Sequence, residues 1–161
     1  MNLITVTIIA LLFLPSFVSA QTDGRAKYIG YEYKGVLPEK TLPNGVKNLG
    51  GGLIGDIEAD PVYEIADVEK GKTRMLWLNV STGKDSTGVT GWKVLDVLSF
   101  PALLESDYLF FAGDPSIECR RSGTDIPNLV GVGRIIRRQE IFKPSKLWVA
   151  NLETKKFEPR S

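Results

Sequence analysis

The alternation of apolar and polar residues is most distinctive between residues 73 and 98, which read TRMLWLNVSTGKDSTGVTGWKVLDVL. Both ends of this stretch are short apolar runs, at residues 75–80 and 92–98, and a polar segment rich in Gly, Ser and Thr separates them. Apolar runs of this length, bounded by turn residues, are typical of buried strands. The pattern therefore predicts a central pair of strands joined by a long surface loop.

Shorter apolar or alternating runs predict further strands along the chain. They lie at residues 28–37, 62–69, 107–112, 116–121, 130–141 and 147–152, with Phe157 in a closing hairpin. A change of parity near Gly133 predicts a β-bulge there. We predict a loop at residues 38–55, because three consecutive Gly at residues 50–52 lose much backbone entropy when ordered. The fold prediction is a single mostly β domain, a small antiparallel barrel or sandwich with long Gly-rich loops.

The N-terminus has the pattern of an export signal. Residues 4–14 are almost wholly apolar, and small residues follow up to Ala20. The apolar run is shorter than the roughly 20 residues that a membrane-spanning helix needs, and its end fits cleavage before Gln21. We expect a signal peptide at residues 1–20, a single domain at residues 21–161, a secreted or periplasmic location and no membrane span after cleavage.

The composition excludes several kinds of chemistry. The chain has no His and a single Cys, Cys119. Triads that depend on His and the usual zinc sites are therefore excluded, and so is an intramolecular disulfide. We interpret Cys119 as a small buried hydrophobe rather than as a thiol activated by Arg120 and Arg121, because no base lies beside it in sequence. We predict no cofactor and no metal.

The net charge of the whole chain indicates little about its partners, whereas the charge of individual segments indicates more. The formal net charge of +1 provides no general attraction to nucleic acid, which we exclude as a partner. Residues 56–69 are acidic, but a calcium loop that starts at Asp56 would need Gly and Glu where Pro61 and Asp67 stand. We interpret these carboxylates as a solvated strand edge.

The second half of the chain is locally basic and supplies most of a candidate binding surface. The residues of this surface are Arg120, Arg121, Arg134, Arg137 and Arg138, together with Trp77 and Trp92 from the central strands. Clustered Arg side chains attract anionic polymers or acidic partners. We favour the other interpretation of these Arg residues, a solvated strand face opposite the acidic segment of the same fold, because mixed surface charge is normal.

The segments MLWLNV and GVTGWKVLDVL resemble bacterial SH3-like modules, in which one strand carries a Trp and a Gly-Trp pair opens the next strand. The resemblance covers about a sixth of the chain. It implies a cell-wall-binding or peptide-binding module.

Taken together, these features favour an exported non-catalytic protein that acts by binding in the cell envelope or outside the cell. Its expected partner is a cell-envelope polymer or another exported protein. The alternatives are the SH3-like binding module and a small carboxylate-based hydrolase that acts on envelope glycan, although no Asp or Glu pair stands out as catalytic. A component of a larger assembly is a further alternative, and it would present an unpaired hydrophobic edge strand.

Overall fold

The structure is a computed structural model, and it consists of strands and the turns that connect them. It describes residues 25–35, 42–43, 45–100, 103–104, 106–111, 120–121, 124–125, 128–136 and 141–160. Within these ranges there are eleven strands and no helix. The expected signal peptide at residues 1–20, Cys119, Arg137 and Arg138 lie outside the described residues.

The strands form two main antiparallel sheets and a small ribbon. In chain order they are β1 (Glu32–Lys34), β2 (Val46–Ile54), β3 (Tyr63–Lys70), β4 (Thr73–Lys84), β5 (Thr90–Phe100), β6 (Tyr108–Phe111), β7 (Arg120–Arg121), β8 (Thr124–Asp125), β9 (Leu129–Ile136), β10 (Ile141–Asn151) and β11 (Lys156–Arg160). The first sheet has the order β1-β5-β4-β3-β2 and curls into a half-barrel, and the second has the order β11-β10-β9-β6. The prediction of a mostly β antiparallel chain is confirmed.

The half-barrel is buried on both faces at its centre. One face, here called the aromatic face, carries Met75 and Trp77 of β4. The other, here called the aliphatic face, carries Leu76 and Leu78 of the same strand and packs against the second sheet. Because alternate residues of a strand point to opposite faces, burial on both sides requires a continuous apolar run. The predicted central strand pair is confirmed, since β4 pairs with β5 over most of its length.

The connection between the two central strands is shorter than predicted. β4 continues to Lys84 and β5 begins at Thr90, so only residues 85–89 form the turn. Asp85 organises this turn, because its carboxylate accepts hydrogen bonds from the Thr87 hydroxyl at 2.6 Å and from the Thr87 amide at 2.9 Å. These bonds lower the pKa of Asp85 to about 2.

The Gly-rich loop predicted at residues 38–55 is wrong for most of its length, since β2 occupies residues 46–54. The strand accommodates three Gly because it is an edge strand with an irregular register between Asn48 and Gly50. A Cβ on Gly51 would lie 2.7 Å from the Ile65 carbonyl oxygen, so β2 approaches β3 too closely for any side chain there. Leu49 is exposed on this edge strand, which is the feature that the assembly alternative expects.

The first predicted strand, at residues 28–37, is also shorter in the structure. Only Glu32–Lys34 form β1, and the residues before it make two turns, with the Tyr28 amide bonded to the Arg25 carbonyl at 3.0 Å. A continuous strand over these residues would place Ile29 on one face with Tyr31 and Tyr33. Ile29 is instead exposed, whereas Tyr28 is buried.

The second sheet covers the aliphatic face. The predicted strand at residues 107–112 is confirmed as β6, and the closing hairpin is confirmed as β10 and β11. The predicted bulge near Gly133 is present as a register shift, but the extra residue is Ser145 on β10. The Asp96 carboxylate joins the two sheets by accepting a 2.8 Å hydrogen bond from the Phe157 amide. Each fully buried Leu, Val, Ile or Phe between the sheets contributes about 1.5–3 kcal/mol of transfer free energy.

Candidate functional site

Four aromatic side chains form a cluster on the aromatic face. The ring centroids of Tyr28 and Trp77 are 5.2 Å apart, and those of Tyr31 and Trp77 are 6.1 Å apart. Tyr33 extends the cluster, with its ring centroid 6.4 Å from that of Tyr31. Separations of this size are typical of attractive aromatic pairs. The cluster fills the centre of the half-barrel and divides the aromatic face into two ends.

The segment before β1 supplies two of these side chains, Tyr28 and Tyr31, and β1 itself carries Tyr33. Gly30 adopts a φ of 85°, a backbone conformation that residues with a side chain rarely adopt. Its amide donates a hydrogen bond to the Val94 carbonyl at 2.8 Å. The Val94 amide donates in return to the Tyr31 carbonyl at 2.9 Å. The segment therefore runs beside β5, and the tyrosines reach the face of the sheet that carries Trp77.

A buried polar network adjoins the aromatic cluster. The Tyr33 hydroxyl donates to Glu64 Oε2 at 3.0 Å, and Asn79 Nδ2 donates to the Tyr33 hydroxyl at 2.8 Å and to Glu64 Oε2 at 3.4 Å. Burial raises the pKa of Glu64, although the two donors partly offset this effect. Burial also raises the pKa of Tyr33, and the Glu64 charge adds to that increase. Asn79 belongs to a glycosylation sequon, but its side chain is fully buried in the fold.

A groove of about 610 Å³ opens at one end of the aromatic face. It is lined by Leu53, Ile57, Glu58, Ala59, Asp60, Val62, Ser81, Gly83, Lys84, Thr90 and Trp92. Its volume falls within the range of small-molecule sites in proteins. The walls combine apolar side chains with two hydroxyls and three charged groups, which suits a ligand that is both polar and apolar.

The strand register places the polar network directly behind the groove. Leu53 lines the groove and is the cross-strand partner of Glu64. Val62, just before β3, and Ser81 of β4 also line it, and each lies two residues from Glu64 or Asn79 on the same face. The network therefore stiffens the back of the groove, because it ties together the strands that supply the lining residues.

The two Trp residues of the predicted surface have different positions. Trp77 is fully buried, with 0% of its surface exposed, so its assignment to a binding surface is corrected: it is a core residue of the half-barrel. Trp92 is 8% exposed and lines the groove. The sequence alone does not distinguish the two residues, because both lie in similar apolar runs. Their different positions follow from the register of β4 and β5.

Among the predicted Arg residues, only Arg134 has a side chain that the structure describes. Arg134 is on β9 of the second sheet, where its exposed side chain has Nε 3.8 Å from Asp107 Oδ1. β7 (Arg120–Arg121) pairs with β8 in the small ribbon. Arg137 and Arg138 lie outside the described ranges. Arg134 and the groove belong to different sheets, so the structure does not place Arg134 with Trp92 in one site.

The acidic segment at residues 56–69 is only partly the solvated edge that we expected. Glu58 and Asp60 are exposed, but Glu64 and Asp67 are not. The carboxylate of Asp67 accepts hydrogen bonds from Arg74, including one at 2.9 Å from Nε. Sequence analysis missed Glu64 as a site residue. The sequence contains no local signal for it, because Glu64 meets its partners only through the register of the strands.

The comparisons with known proteins add no assignment. The chain matches no protein family, no curated protein and no solved structure. Within the described ranges, no group of three or more His, Cys, Asp and Glu side chains could hold a metal ion. The described part of the chain also has no helix with the length and apolar character needed to cross a membrane.

Proposed function

We propose that this protein is an exported, non-catalytic binding protein that holds a cell-envelope polymer in the groove of its half-barrel. The observation that carries the proposal is the groove itself, about 610 Å³ in volume, with Trp92 and Ile57 in its wall. Aromatic and aliphatic walls with a few polar groups are typical of sites that bind by contact area and a small number of hydrogen bonds. Export rests on the apolar N-terminus of the sequence.

The exposed side chain of Ile57 makes an apolar contact available to a ligand. It is 63% exposed, and an apolar side chain on a free surface gains free energy when a ligand covers it. The hydroxyls of Ser81 and Thr90 lie in the same groove and are able both to donate and to accept hydrogen bonds. A glycan or a peptide presents this combination of apolar faces and polar edges.

Co-sedimentation with purified peptidoglycan tests the proposal. We expect the protein to pellet with the wall material and to release no soluble fragments. Ile57→Ser should weaken pelleting severalfold, because it removes apolar contact from the groove. Leu104→Ser is the matched control, since Leu104 is 58% exposed but does not line the groove.

Three results would contradict the proposal. If the protein does not pellet at low or moderate salt, the groove does not bind this polymer, and the SH3-like alternative fails with it. If Leu104→Ser weakens pelleting as much as Ile57→Ser, the groove is not the site. If soluble fragments appear, the protein is an enzyme.

A carboxylate-based hydrolase of envelope glycan is the second candidate, because two carboxylates line the groove. Glu58 and Asp60 are its acidic lining residues, and the pKa of Glu64 behind them is raised by burial, as in a general acid. Three facts favour binding instead: Glu58 and Asp60 are exposed, Glu64 does not line the groove, and its Oε2 is already hydrogen-bonded. Fragment release that is abolished by Glu64→Gln would establish the hydrolase.

A further inference from the structure

The end of the aromatic face opposite the groove contains a small, strongly basic pocket. Its volume is about 120 Å³, and its described lining includes three cationic side chains, those of Arg25, Lys27 and Lys70. The hydroxyl groups of Thr73 and Ser99 line it as well. No Asp or Glu is among the described lining residues. The lining therefore offers positive charge and hydrogen-bond donors without a compensating carboxylate.

Two buried donors in this pocket lack partners. Tyr28 is 3% exposed, and its hydroxyl has no hydrogen-bond partner among the described residues. The Nε of Arg25 is also buried and is likewise unpaired in the described part of the chain. Both residues line the pocket. Buried polar groups in native proteins are nearly always hydrogen-bonded, so a ligand with acceptor atoms is expected between these donors.

The fold brings the cations together from two distant segments. The turn before β1 carries Arg25 and Lys27, and the ring of Tyr28 lies under Lys27 with Nζ 4.9 Å from the ring centroid. Lys70 and Thr73 are cross-strand partners at the hairpin between β3 and β4. Lys27 and Lys70 are both exposed, so their ammonium groups are accessible to an anion from solvent and attract it.

The size and chemistry of the pocket select a phosphate group. A pocket volume of about 120 Å³ suits a small oxyanion or the anionic end of a larger ligand. Arg and Lys bind phosphate oxygens through charge-assisted hydrogen bonds, and a tetrahedral phosphate has enough acceptor oxygens for several donors at once. A carboxylate carries one negative charge, so it compensates three cationic side chains less completely than a phosphate does.

We propose that Arg25, Lys27, Tyr28 and Lys70 form a binding site for a phosphate group, separate from the groove. The phosphate is free in solution or is carried by a lipid headgroup, and both sources present the same oxygens. The site is independent of the proposed groove ligand, since the aromatic cluster lies between the two ends. A failure of one proposal therefore leaves the other standing.

Isothermal titration of the purified protein with inorganic phosphate, at low ionic strength, tests the site. We expect saturable binding to one site, and Lys70→Gln should weaken it about tenfold through loss of one charge-assisted bond. Tyr28→Phe keeps the ring and removes only the unpaired hydroxyl, so it should weaken binding severalfold. Lys143→Gln is the matched control, because Lys143 is exposed on β10 and is not a lining residue of the pocket.

A flotation assay separates the two sources of phosphate. Vesicles of phosphatidylcholine with phosphatidic acid are compared with vesicles of phosphatidylcholine alone, with and without inorganic phosphate as competitor. Flotation only with phosphatidic acid, reversed by inorganic phosphate, assigns a lipid headgroup to the site, and titration with phosphate alone assigns the free ion. The proposal is overturned if neither probe binds, or if Lys143→Gln weakens binding as much as Lys70→Gln does.

Discussion

The Tyr33 hydroxyl donates a 3.0 Å hydrogen bond to Glu64 across the aromatic face of the half-barrel, although the two residues are 31 positions apart in sequence. Tyr33 lies on the edge strand β1 and Glu64 on β3, with β5 and β4 between them. Asn79 on β4 donates to both partners. The network therefore links strands that are not neighbours and fixes the curl of the sheet behind the groove.

Tyr33→Phe should destabilise the fold by about 1–3 kcal/mol. The substitution keeps the ring but removes the donor to Glu64 and the acceptor for Asn79, so buried polar atoms lose partners. The free energy of unfolding in urea measures the effect. Tyr63→Phe is the control, since Tyr63 is half-buried and should change stability by less than about 0.5 kcal/mol. Equal losses in the two variants would show that the network contributes nothing.

Glu64→Gln should change how stability depends on pH. Burial raises the pKa of Glu64 in the folded state, so the folded chain holds this proton more tightly than the unfolded chain does. The contribution of Glu64 to the stability of the wild type therefore decreases as the pH rises from the ordinary Glu pKa of 4.5 through the raised pKa of the folded state. Gln carries no charge and still accepts the bonds from Tyr33 and Asn79, so the variant should lack this loss.

Urea unfolding of both proteins between about pH 4 and about pH 8 measures the difference. We expect the free energy of unfolding of Glu64→Gln to increase relative to that of the wild type as the pH increases. The difference between the two proteins should be smallest at the acid end of the range. Stability curves that run parallel over this range would mean that Glu64 is not desolvated in the folded protein.

The central strands could be predicted because their burial leaves a direct trace in sequence. β4 is covered on both faces, and so Met75 to Leu78 are all apolar. The turn between β3 and β4 leaves a local trace as well, since Gly71 in Lys70-Gly71-Lys72 adopts a φ of 61°, which Gly accommodates readily. Local pattern was sufficient in both cases.

β2 could not be predicted from local pattern because one of its glycines, Gly51, serves a tertiary contact. The propensity of three Gly residues argues for a loop, whereas the close approach of Gly51 to the β3 backbone requires Gly within a strand. The same limit applies to the groove and to Tyr33, Glu64 and Asn79. These residues become neighbours only through the register of four strands, and no spacing in the sequence records that register.

The bulge in the second sheet could be predicted from the sequence only in part. The parity change near Gly133 in β9 indicated that the register shifts, and it does. A pattern on one strand does not show which strand contains the extra residue. The structure places Ser145 of β10 there, with its hydroxyl donating a 2.9 Å hydrogen bond to the Val132 carbonyl.

Met75→Ala and Leu76→Ala should each destabilise the fold by about 2–5 kcal/mol. The two residues are adjacent in β4 and point to opposite faces, and both are buried. A strand with one solvated face would tolerate one of the two substitutions. Thr82→Ala, at an exposed position of the same strand, is the control and should stay within about 0.5 kcal/mol of the wild type. Urea unfolding of all three variants decides whether both faces are covered in solution.

Gly51→Ala should destabilise the fold by about 1–3 kcal/mol even though it lies on an edge strand and adds a single methyl group. Its Cβ would meet the Ile65 carbonyl oxygen at 2.7 Å and the Ala66 Cα at 3.2 Å, and both are backbone atoms with little freedom to move. Ala has the higher intrinsic preference for ordered structure, so propensity alone predicts the opposite sign. Lys47→Ala, at an exposed position of the same strand, provides the comparison in urea unfolding. A Gly51→Ala variant as stable as the wild type would show that β2 does not approach β3 this closely, and that the Gly-rich segment is held in the sheet for another reason.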